Sequence, residues 1–250
     1  MPPPVLARGS FPELWSRPEI AAGEFHRSYV STYLERDLRS LQQVGNLQQF
    51  ERFLRASAQR SGQLLNRAEL ARDVGIAPST AGLWLSVLER SGLVFLLEPW
   101  FGNAGKRLIR SPKLYWRDTG LLCWLIGIGS EAELARSPLV GAVWETFVVG
   151  EVQRQLELAA AAGKLHFWRD RSKEVDLVLE RGGRLWLGDA KWTELPSSRD
   201  GRRLLQVTEE LPPGVVASTA LICRTPHRFP LGDGLEALPL AELGPHWNLG

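Results

Sequence analysis

Two short acidic segments flank a Gly182-Gly183 pair, with Glu174 and Asp176 before it and Asp189 and Lys191 after it. If the glycines form a two-residue hairpin loop, the strands pair symmetrically, so Asp176 faces Asp189 and Glu174 faces Lys191. Directly opposed like charges destabilise a sheet by roughly 0.2 to 1 kcal/mol, so we expect a cation or a proton between the aspartates. This layout is typical of a metal-dependent site that cleaves phosphodiester bonds.

The chemistry of such a site assigns a role to each charged residue. Asp176 and Asp189 are expected to ligate Mg²⁺ or Mn²⁺, together with the carbonyl oxygen of Ala190, because hard cations take oxygen ligands. Lys191 would position or activate the attacking water and neutralise charge in the transition state. Glu145, on the helix expected to pack against the hairpin, would complete the acidic cluster.

A purely structural interpretation of these residues stays open. Glu174 and Lys191 could form an ordinary cross-strand ion pair, which contributes little to stability. If Glu145 points away from the hairpin, Glu151 on the same helix would be its replacement. The histidine nearest the site, His166, is expected to be a strand residue rather than a ligand.

Hydrophobic periodicity predicts the elements that position these residues. Residues 139 to 224 predict an α/β order of helix, three strands, helix and strand. The predicted bounds are a helix at 139–162, strands at 165–169, 174–179 and 185–191, a helix at 201–210, and a strand at 215–224. On the hairpin, the face carrying Val175, Leu177, Leu179, Trp186 and Ala190 is expected to point into the core.

The first half of the chain predicts a winged helix. Residues 1–23 are interpreted as a loose lead-in, and helices are predicted over 24–47 and over the residues from Phe50 to Ala58. Asn66 then caps a short helix, Val74-Gly75-Ile76 turns the chain, and Pro78 opens a second helix, as in a helix-turn-helix. A β-hairpin over 93–116 would form the wing. The predicted domains are a lead-in with one helix at 1–45, a winged helix at 46–117, a connector at 118–138 and an α/β domain at 139–250.

The candidate DNA-binding residues lie around the predicted wing rather than on the second helix, where Arg90 is the only basic residue and is preceded by Glu89. The cations expected to contact phosphates are Lys106, Arg107, Arg110, Lys113 and Arg117. Trp168 and Trp192 flank the charged corner and could stack on a base, whereas Trp84, Trp144 and Trp186 are expected in the core. The alternative is a winged helix that serves in packing or protein interaction.

Composition narrows the class of protein. The 250 residues are 44% hydrophobic and 23% charged with a net charge of +2, which is typical of a globular protein and permits DNA binding without requiring it. Cys123 and Cys223 are expected to be buried thiols, which gives neither a disulfide framework nor a zinc site. The longest uncharged apolar run, 121–128, is far shorter than the roughly 20 residues of a membrane span, and residues 1–4 do not begin a signal peptide. We therefore expect a cytoplasmic protein that does not contact membranes.

Several motifs together resemble a known family. Glu145, Asp176 and Asp189-Ala190-Lys191 look like the PD-(D/E)XK nuclease signature of the restriction-endonuclease-like fold. With the segments at 29–38, 116–122 and 141–147, they resemble the C-terminal half of prokaryotic AAA-type ATPases, a winged helix plus a nuclease-like domain of unknown function of the DUF4143 type. The resemblance covers about residues 9 to 224. It implies a winged helix-turn-helix domain followed by a restriction-endonuclease-like α/β domain.

The chain departs from this family in two respects. The expected P-loop ATPase domain is missing, and Gly102 to Arg107 has the wrong spacing for a Walker A motif, so we expect no ATP cofactor and no ATPase activity. A truncated gene product, a fragment and a stand-alone relative all remain open. Asp189 stands where the family more often has Glu, and either carboxylate satisfies the signature.

Three functions are compatible with the sequence. The first is a nuclease-like protein that binds DNA and depends on Mg²⁺ or Mn²⁺. The second is a non-enzymatic DNA-binding or regulatory protein with the winged helix as its reader. The third is a module that docks on a protein partner or on itself through the helix predicted at 24–47, with Phe25, Tyr29 and Leu34 on its docking face.

Overall fold

The computed structural model describes residues 5–40, 47–102, 111–159 and 163–249, with only the backbone described for Val5 and for 33–40. The protein is a mixed α/β chain with helices and two sheets, which confirms the predicted class. Its contacts divide it into two compact units. The N-terminal unit comprises Pro2–Leu96 and Leu114–Val143, and the C-terminal unit comprises Leu97–Lys113 and Trp144–Gly250.

The N-terminal unit is mainly helical and contains a three-stranded sheet of order β1-β3-β2. Its elements, in chain order, are α1 (Val5–Arg8), α2 (Pro12–Ser16), α3 (Ala22–Ser40), α4 (Leu47–Ala58), β1 (Gln63–Leu64), α5 (Arg67–Val74), α6 (Pro78–Arg90), β2 (Val94–Leu97), β3 (Lys113–Trp116), α7 (Thr119–Leu125) and α8 (Glu131–Arg136). The boundaries between the two units fall inside β2 and β3, so that Leu97 and Lys113 belong to the C-terminal unit.

The helix pair α5 and α6 has the expected local signals. The Asn66 side chain accepts a hydrogen bond from the Glu69 N–H at 3.1 Å and caps α5. Gly75 follows α5 in the left-handed conformation, with φ of 78°, which a glycine adopts without strain. Pro78 occupies the first turn of α6. This order of helices and strands is compatible with the winged-helix interpretation.

The lead-in and the connector contain helices that the sequence analysis did not predict. Residues 5–16 form α1 and α2 instead of a loose segment, and the predicted connector contains α7 and α8. These helices are short, so they show no measurable period, and contacts distant in sequence hold them. The side chain of Asp118 accepts hydrogen bonds from the N–H of Ser10 at 2.6 Å and from that of Leu121 at 2.7 Å.

The C-terminal unit contains the larger sheet, which has six strands in the order β4-β5-β6-β7-β9-β8. Its elements are α9 (Val140–Leu158), β4 (Lys164–Arg169), β5 (Glu174–Arg181), β6 (Arg184–Ala190), α10 (Arg202–Glu209), β7 (Val216–Cys223), β8 (Phe229–Gly232), β9 (Leu235–Pro239) and α11 (Leu240–Trp247). β4, β5 and β6 pair antiparallel, and β6, β7 and β9 pair parallel. The helix, three strands, helix and strand predicted at 139–224 are confirmed, whereas β8, β9 and α11 were not predicted.

The turn between β5 and β6 sets the register of the hairpin. Gly182 and Gly183 have φ of 57° and 74°, as a primed two-residue turn requires. Arg181 pairs with Arg184, and the ladder continues without a shift to Leu177 opposite Gly188. The predicted two-residue loop is confirmed. The next residues along the two strands are Asp176 and Asp189.

The sheet has a buried core against α10. Leu204 and Val207 of α10 are buried with Val178, Leu185 and Leu187 of the hairpin. Apolar burial of this kind stabilises a fold by roughly 25 cal/mol per Å² removed from water. Aliphatic packing on the hairpin therefore holds the strands whose ends carry the acidic residues.

Two further sequence-based expectations concern cysteines and membranes. Cys123 and Cys223 are both free and buried, as predicted. Among the helices that the structure describes, none combines the length and the apolar character that crossing a bilayer requires.

Candidate functional site

The two aspartates at the open end of the hairpin hold each other in place. The Asp176 N–H donates to Asp189 Oδ1 at 3.2 Å, and the Ala190 N–H donates to Asp176 Oδ2 at 3.0 Å. Both side chains are nearly buried, with exposed fractions of 9% for Asp176 and 3% for Asp189. The two carboxylates are therefore neighbours on the same side of the sheet, and each is oriented by the backbone of the opposite strand.

Lys191 and Asp189 form the second part of the site. Lys191 Nζ lies 3.3 Å from Asp189 Oδ2. Burial is the main cause that raises the pKa of Asp189, the charge of Asp176 adds to it and Lys191 opposes it, so that the pKa is raised to about 7. Burial acts to lower the pKa of Lys191, but Asp189 and Asp176 outweigh it and the pKa is raised. The pair is thus a carboxyl group that retains a proton readily beside an ammonium that retains its charge.

A second lysine supplies the cation that the sequence analysis expected near the aspartates. Lys113 is only 1% exposed. Its Nζ lies 2.7 Å from Glu145 Oε1, 2.5 Å from Glu174 Oε1 and 3.7 Å from Asp176 Oδ1. We call this group the carboxylate site; its members are Glu145, Glu174, Asp176 and Asp189 with the cations Lys113 and Lys191. All six belong to the C-terminal unit.

The helix α9 and the strand β6 are anchored to the same residue of β7. The carbonyl oxygen of Ile222 accepts hydrogen bonds from Trp144 Nε1 at 3.2 Å and from the Lys191 N–H at 2.9 Å. Trp144 is 1% exposed, so the helix is fixed at the residue next to Glu145. This shared anchor explains how residues from a helix and a strand reach one site.

The oxygen atoms of the site have the chemistry that a divalent cation needs. Oxygen ligands from carboxylates suit Mg²⁺ and Mn²⁺, and an ammonium already lies among three of these carboxylates as a stand-in cation. Among the described residues, however, no three His, Cys, Asp or Glu side chains are grouped so that they could hold a metal ion. A divalent cation bound here would therefore require the carboxylates to rearrange and Lys113 Nζ to move away from Glu145 and Asp176.

The structure brings together Glu145, Asp176, Asp189 and Lys191, the four residues proposed for catalysis. Glu151, which was the alternative to Glu145, has other hydrogen-bond partners. It accepts hydrogen bonds from Arg154 and from Gln155, both on its own helix. His166 is a strand residue, as predicted, with Nδ1 at 3.3 Å from the carbonyl oxygen of Glu98.

Lys113 has a different environment from the one predicted. It was grouped with the exposed cations of the wing, but it is buried among carboxylates, so it is not available at the surface for a DNA phosphate. Lys106, Arg107 and Arg110 lie outside the described residues. The available signal for Lys113 was its position before Leu114-Tyr115-Trp116, because a lysine adjoining a buried apolar strand needs a negative partner.

The tryptophan predictions have mixed outcomes. Trp84 and Trp144 are buried, as expected, but Trp186 is only partly buried and lies under the guanidinium of Arg181. Trp168, proposed as a stacking residue, is 5% exposed and belongs to the core, which removes it from that role.

Trp192 has neighbours on its ring that sequence reasoning missed. The guanidinium of Arg224 lies 3.9 Å from the ring centroid, and Trp144 contacts it in an edge arrangement at 5.6 Å. Arg224 also forms an ion pair with Glu194 at 2.7 Å. A base that stacked on Trp192 from the side of Arg224 would have to displace that guanidinium, or stack on it.

Comparison with protein families gives two matches. Residues 4–132 match the model of a domain of unknown function, DUF8612, and residues 140–243 match that of another, DUF4143. The second match includes every residue of the carboxylate site except Lys113. The resemblance to DUF4143 is thus confirmed for the C-terminal part of the chain, and a different family covers the part before it.

Two curated relatives are similar along most of the chain. They are the uncharacterized proteins Rv2008c of Mycobacterium tuberculosis and Mb2031c of Mycobacterium bovis. Each is 37% identical over 239 residues, which is 95% of this chain and 52% of the relative. The chain therefore spans about half the length of the curated relatives it matches.

Proposed function

The chain belongs to the DUF8612 family, a domain of unknown function, and we propose that its C-terminal unit hydrolyses phosphodiester bonds of DNA with Mg²⁺ or Mn²⁺. The observation that carries the proposal is the fixed pair Asp176 and Asp189, with the ammonium of Lys191 3.3 Å from Asp189. A pair of buried carboxylates that repel each other gains stability from a cation, and it binds one more tightly than exposed carboxylates do.

Each residue of the proposed site has a distinct task. Asp176 and Asp189 would hold the metal through the oxygen atoms that face the lysines, since their other oxygens accept backbone N–H groups. Glu145 would complete the ligand set from α9. A bound Mg²⁺ or Mn²⁺ would supply Lewis acidity and lower the pKa of a coordinated water.

Lys191 is the residue proposed to act on the substrate directly. Its raised pKa keeps the ammonium protonated at neutral pH. A protonated lysine beside the scissile phosphate can orient the attacking water and offset the negative charge that develops on the phosphoryl oxygens. Its contact with Asp189 limits the positions that the amine can adopt.

The wider architecture is part of the same proposal. The antiparallel β4, β5 and β6, continued by the parallel β7, support a restriction-endonuclease-like fold, with Glu145, Asp176 and Asp189-Ala190-Lys191 as its PD-(D/E)XK residues. The helix pair α5 and α6 and the sheet β1-β3-β2 support a winged helix. We propose the relation to AAA-type ATPases through the DUF4143 match, which covers only residues 140–243.

A cleavage assay tests the proposal. Purified protein is incubated with supercoiled, single-stranded and branched DNA in Mg²⁺ or Mn²⁺, with EDTA as the blank. Asp189→Asn, Asp176→Asn and Lys191→Met are each expected to lower the cleavage rate by about 100-fold or more, because each removes a metal ligand or the charge at the phosphate. Glu151→Gln is the matched control, since Glu151 lies on α9 and pairs with Arg154. Equal rates for the wild type and Asp189→Asn would remove the catalytic proposal.

One observation favours a second function, in which the chain binds DNA without cleaving it. The ammonium of Lys113 already pairs with both Glu145 and Glu174, so the unit can fold around its carboxylates with no metal. This alternative predicts DNA affinity that falls steeply with salt and survives Asp176→Ala. Absent or salt-insensitive binding would exclude it.

The docking hypothesis receives less support. Phe25 and Tyr29, on the proposed docking face of α3, contact the ring of Phe11 at centroid distances of 5.2 and 4.8 Å. These contacts within the N-terminal unit already cover part of that face. Association with a protein partner or with itself stays a third proposal, which a measurement of mass in solution would test.

A further inference from the structure

The roles proposed for the catalytic residues do not explain why Lys113 is buried. Lysine is almost never fully buried unless it is paired, because removing an ammonium from water is costly. Lys113 is 1% exposed, and its Nζ lies within 2.7 Å of both Glu145 and Glu174. The ring of Phe167 lies 5.5 Å from the same nitrogen and adds a cation–π contact.

We propose that the ammonium of Lys113 and a divalent cation are alternative occupants of the same carboxylates, so that Lys113 sets the metal affinity of the site. This inference rests on the proposed function, because it takes Glu145 and Asp176 as metal ligands. It goes further in assigning the control of metal binding to a residue outside the nuclease signature.

The contacts of Lys113 explain why the two cations exclude each other. Lys113 Nζ lies 2.7 Å from Glu145 Oε1 and 3.7 Å from Asp176 Oδ1, and these are two of the oxygens that the metal would use. A metal–oxygen distance for Mg²⁺ is about 2.0–2.1 Å, so both cations would lie within a few ångströms of each other among the same atoms. Two cations this close repel strongly in a site shielded from water.

The surrounding charges make an exchange feasible. Glu174 also contacts Arg169, at 3.2 Å, so it keeps a cationic partner when Lys113 leaves. Lysine is suited to exchange because its compact ammonium ends a flexible four-carbon chain, whereas arginine forms a more rigid fork. Withdrawal of Lys113 would leave Glu145 and Asp176 with excess negative charge, which a divalent cation would offset.

Direct titration of Mn²⁺ by calorimetry tests this inference in the full chain. Lys113→Met removes the ammonium and keeps much of the side-chain volume, and it is expected to bind Mn²⁺ about tenfold or more tightly than the wild type. Lys164→Met is the matched control, since Lys164 is exposed and begins β4 at the end that pairs with Glu180. The control should keep the wild-type affinity, and Lys113→Met/Asp176→Asn should lose the gain.

Thermal unfolding gives a second readout. In EDTA, Lys113→Met should unfold at a lower temperature than the wild type, and Mn²⁺ should stabilise it by more than it stabilises the wild type. If Lys113→Met does not fold without metal, Lys113→Gln replaces it in both titrations. Equal or weaker Mn²⁺ affinity in the folded variant, or no Mn²⁺ uptake by any variant, would overturn the inference.

The two proposals fail in different ways. A tenfold gain in Mn²⁺ affinity with no DNA cleavage by any variant would remove the nuclease proposal and leave Lys113 as the competing cation. If Asp189→Asn abolishes cleavage but Lys113→Met and the wild type bind Mn²⁺ equally well, the nuclease proposal stands. The inference about Lys113 is then wrong.

Discussion

Two buried carboxylate groups of this protein differ in what surrounds them. In the N-terminal unit, Asp118 accepts hydrogen bonds from the N–H and the hydroxyl of Ser10 and from the N–H of Leu121. In the C-terminal unit, Asp176 and Asp189 face each other, and each also lies near a lysine ammonium. Neutral donors fixed by the backbone give a structural contact, whereas like charges beside lysine ammoniums give the site at which we propose that cations exchange.

The surroundings of Asp118 explain its role in the fold. It caps α7 and also fixes the N-terminal segment, where the Ser10 N–H lies 2.6 Å from Oδ2. Gly120 lies against the backbone of Arg8 and Gly9, so the two segments touch through main-chain atoms. The comparison therefore predicts that equivalent substitutions have different consequences for stability in the two units.

The largest expected effect is that of Asp118→Asn on stability. The amide would direct an N–H group toward the donors of Ser10, so a buried donor would lose its acceptor, and we expect a loss of about 2–4 kcal/mol in the free energy of unfolding. Urea denaturation followed by circular dichroism measures it.

The same chemical change in the other unit serves as the comparison. Asp189→Asn replaces a carboxyl group whose pKa is raised to about 7 with a neutral amide, which resembles its protonated form. Near pH 4, where the carboxyl group is protonated in the folded protein, the unfolding free energy should therefore change by less than about 1 kcal/mol. If Asp189→Asn destabilises the protein as much as Asp118→Asn does, the distinction between a structural and an exchangeable carboxylate is wrong.

A smaller effect is expected from Gly120→Ala, which tests the close approach in the N-terminal unit. A Cβ at this position would lie 2.4 Å from the carbonyl carbon of Arg8 and 2.4 Å from the nitrogen of Gly9. Because backbone atoms cannot move aside as a flexible side chain can, we expect a loss of about 1–3 kcal/mol, measured in the same urea assay.

Gly150→Ala in α9 is the matched control, since nothing lies within 4 Å of the added Cβ. Alanine in a helix interior is favoured over glycine by about 0.5–1 kcal/mol, so this variant should be slightly more stable than the wild type. Similar destabilisation by both substitutions would indicate that the contact of Gly120 with Arg8 has no special importance.

The hairpin shows what the sequence could predict about the site. The pairing of Asp176 with Asp189 follows from two adjacent glycines, because the turn fixes the register within a few residues of the chain. Lys191 was predicted from the same local pattern, whereas Glu145 was predicted from the helix that was expected to pack against the hairpin. The order of elements from α9 to β7 was also predictable, since each is long enough to show its own period.

The contacts that were missed join residues distant in the sequence. Lys113 reaches Glu145 and Glu174 through the packing of the unit, and no spacing rule relates these positions. The helices α1 and α2 are four and five residues long, which is too short for a hydrophobic period. They depend on distant partners, such as Glu131, whose Oε1 accepts the Ala7 N–H at 2.7 Å.

The last expected effect is gradual, and it concerns the pH dependence of stability. The pKa of Asp189 is raised to about 7 from an ordinary value of 3.8, so between about pH 4 and pH 7 the folded protein holds a proton that the unfolded chain has released. Stability therefore falls as pH rises through this window, by at most about 1.4 kcal/mol per pH unit for one proton. Asp189→Asn removes this contribution, so in EDTA the variant should gain stability relative to the wild type as pH rises toward 7. Urea denaturation of both proteins across the window measures the difference, and a difference that does not vary with pH would contradict the assignment of a retained proton to the carboxylate site.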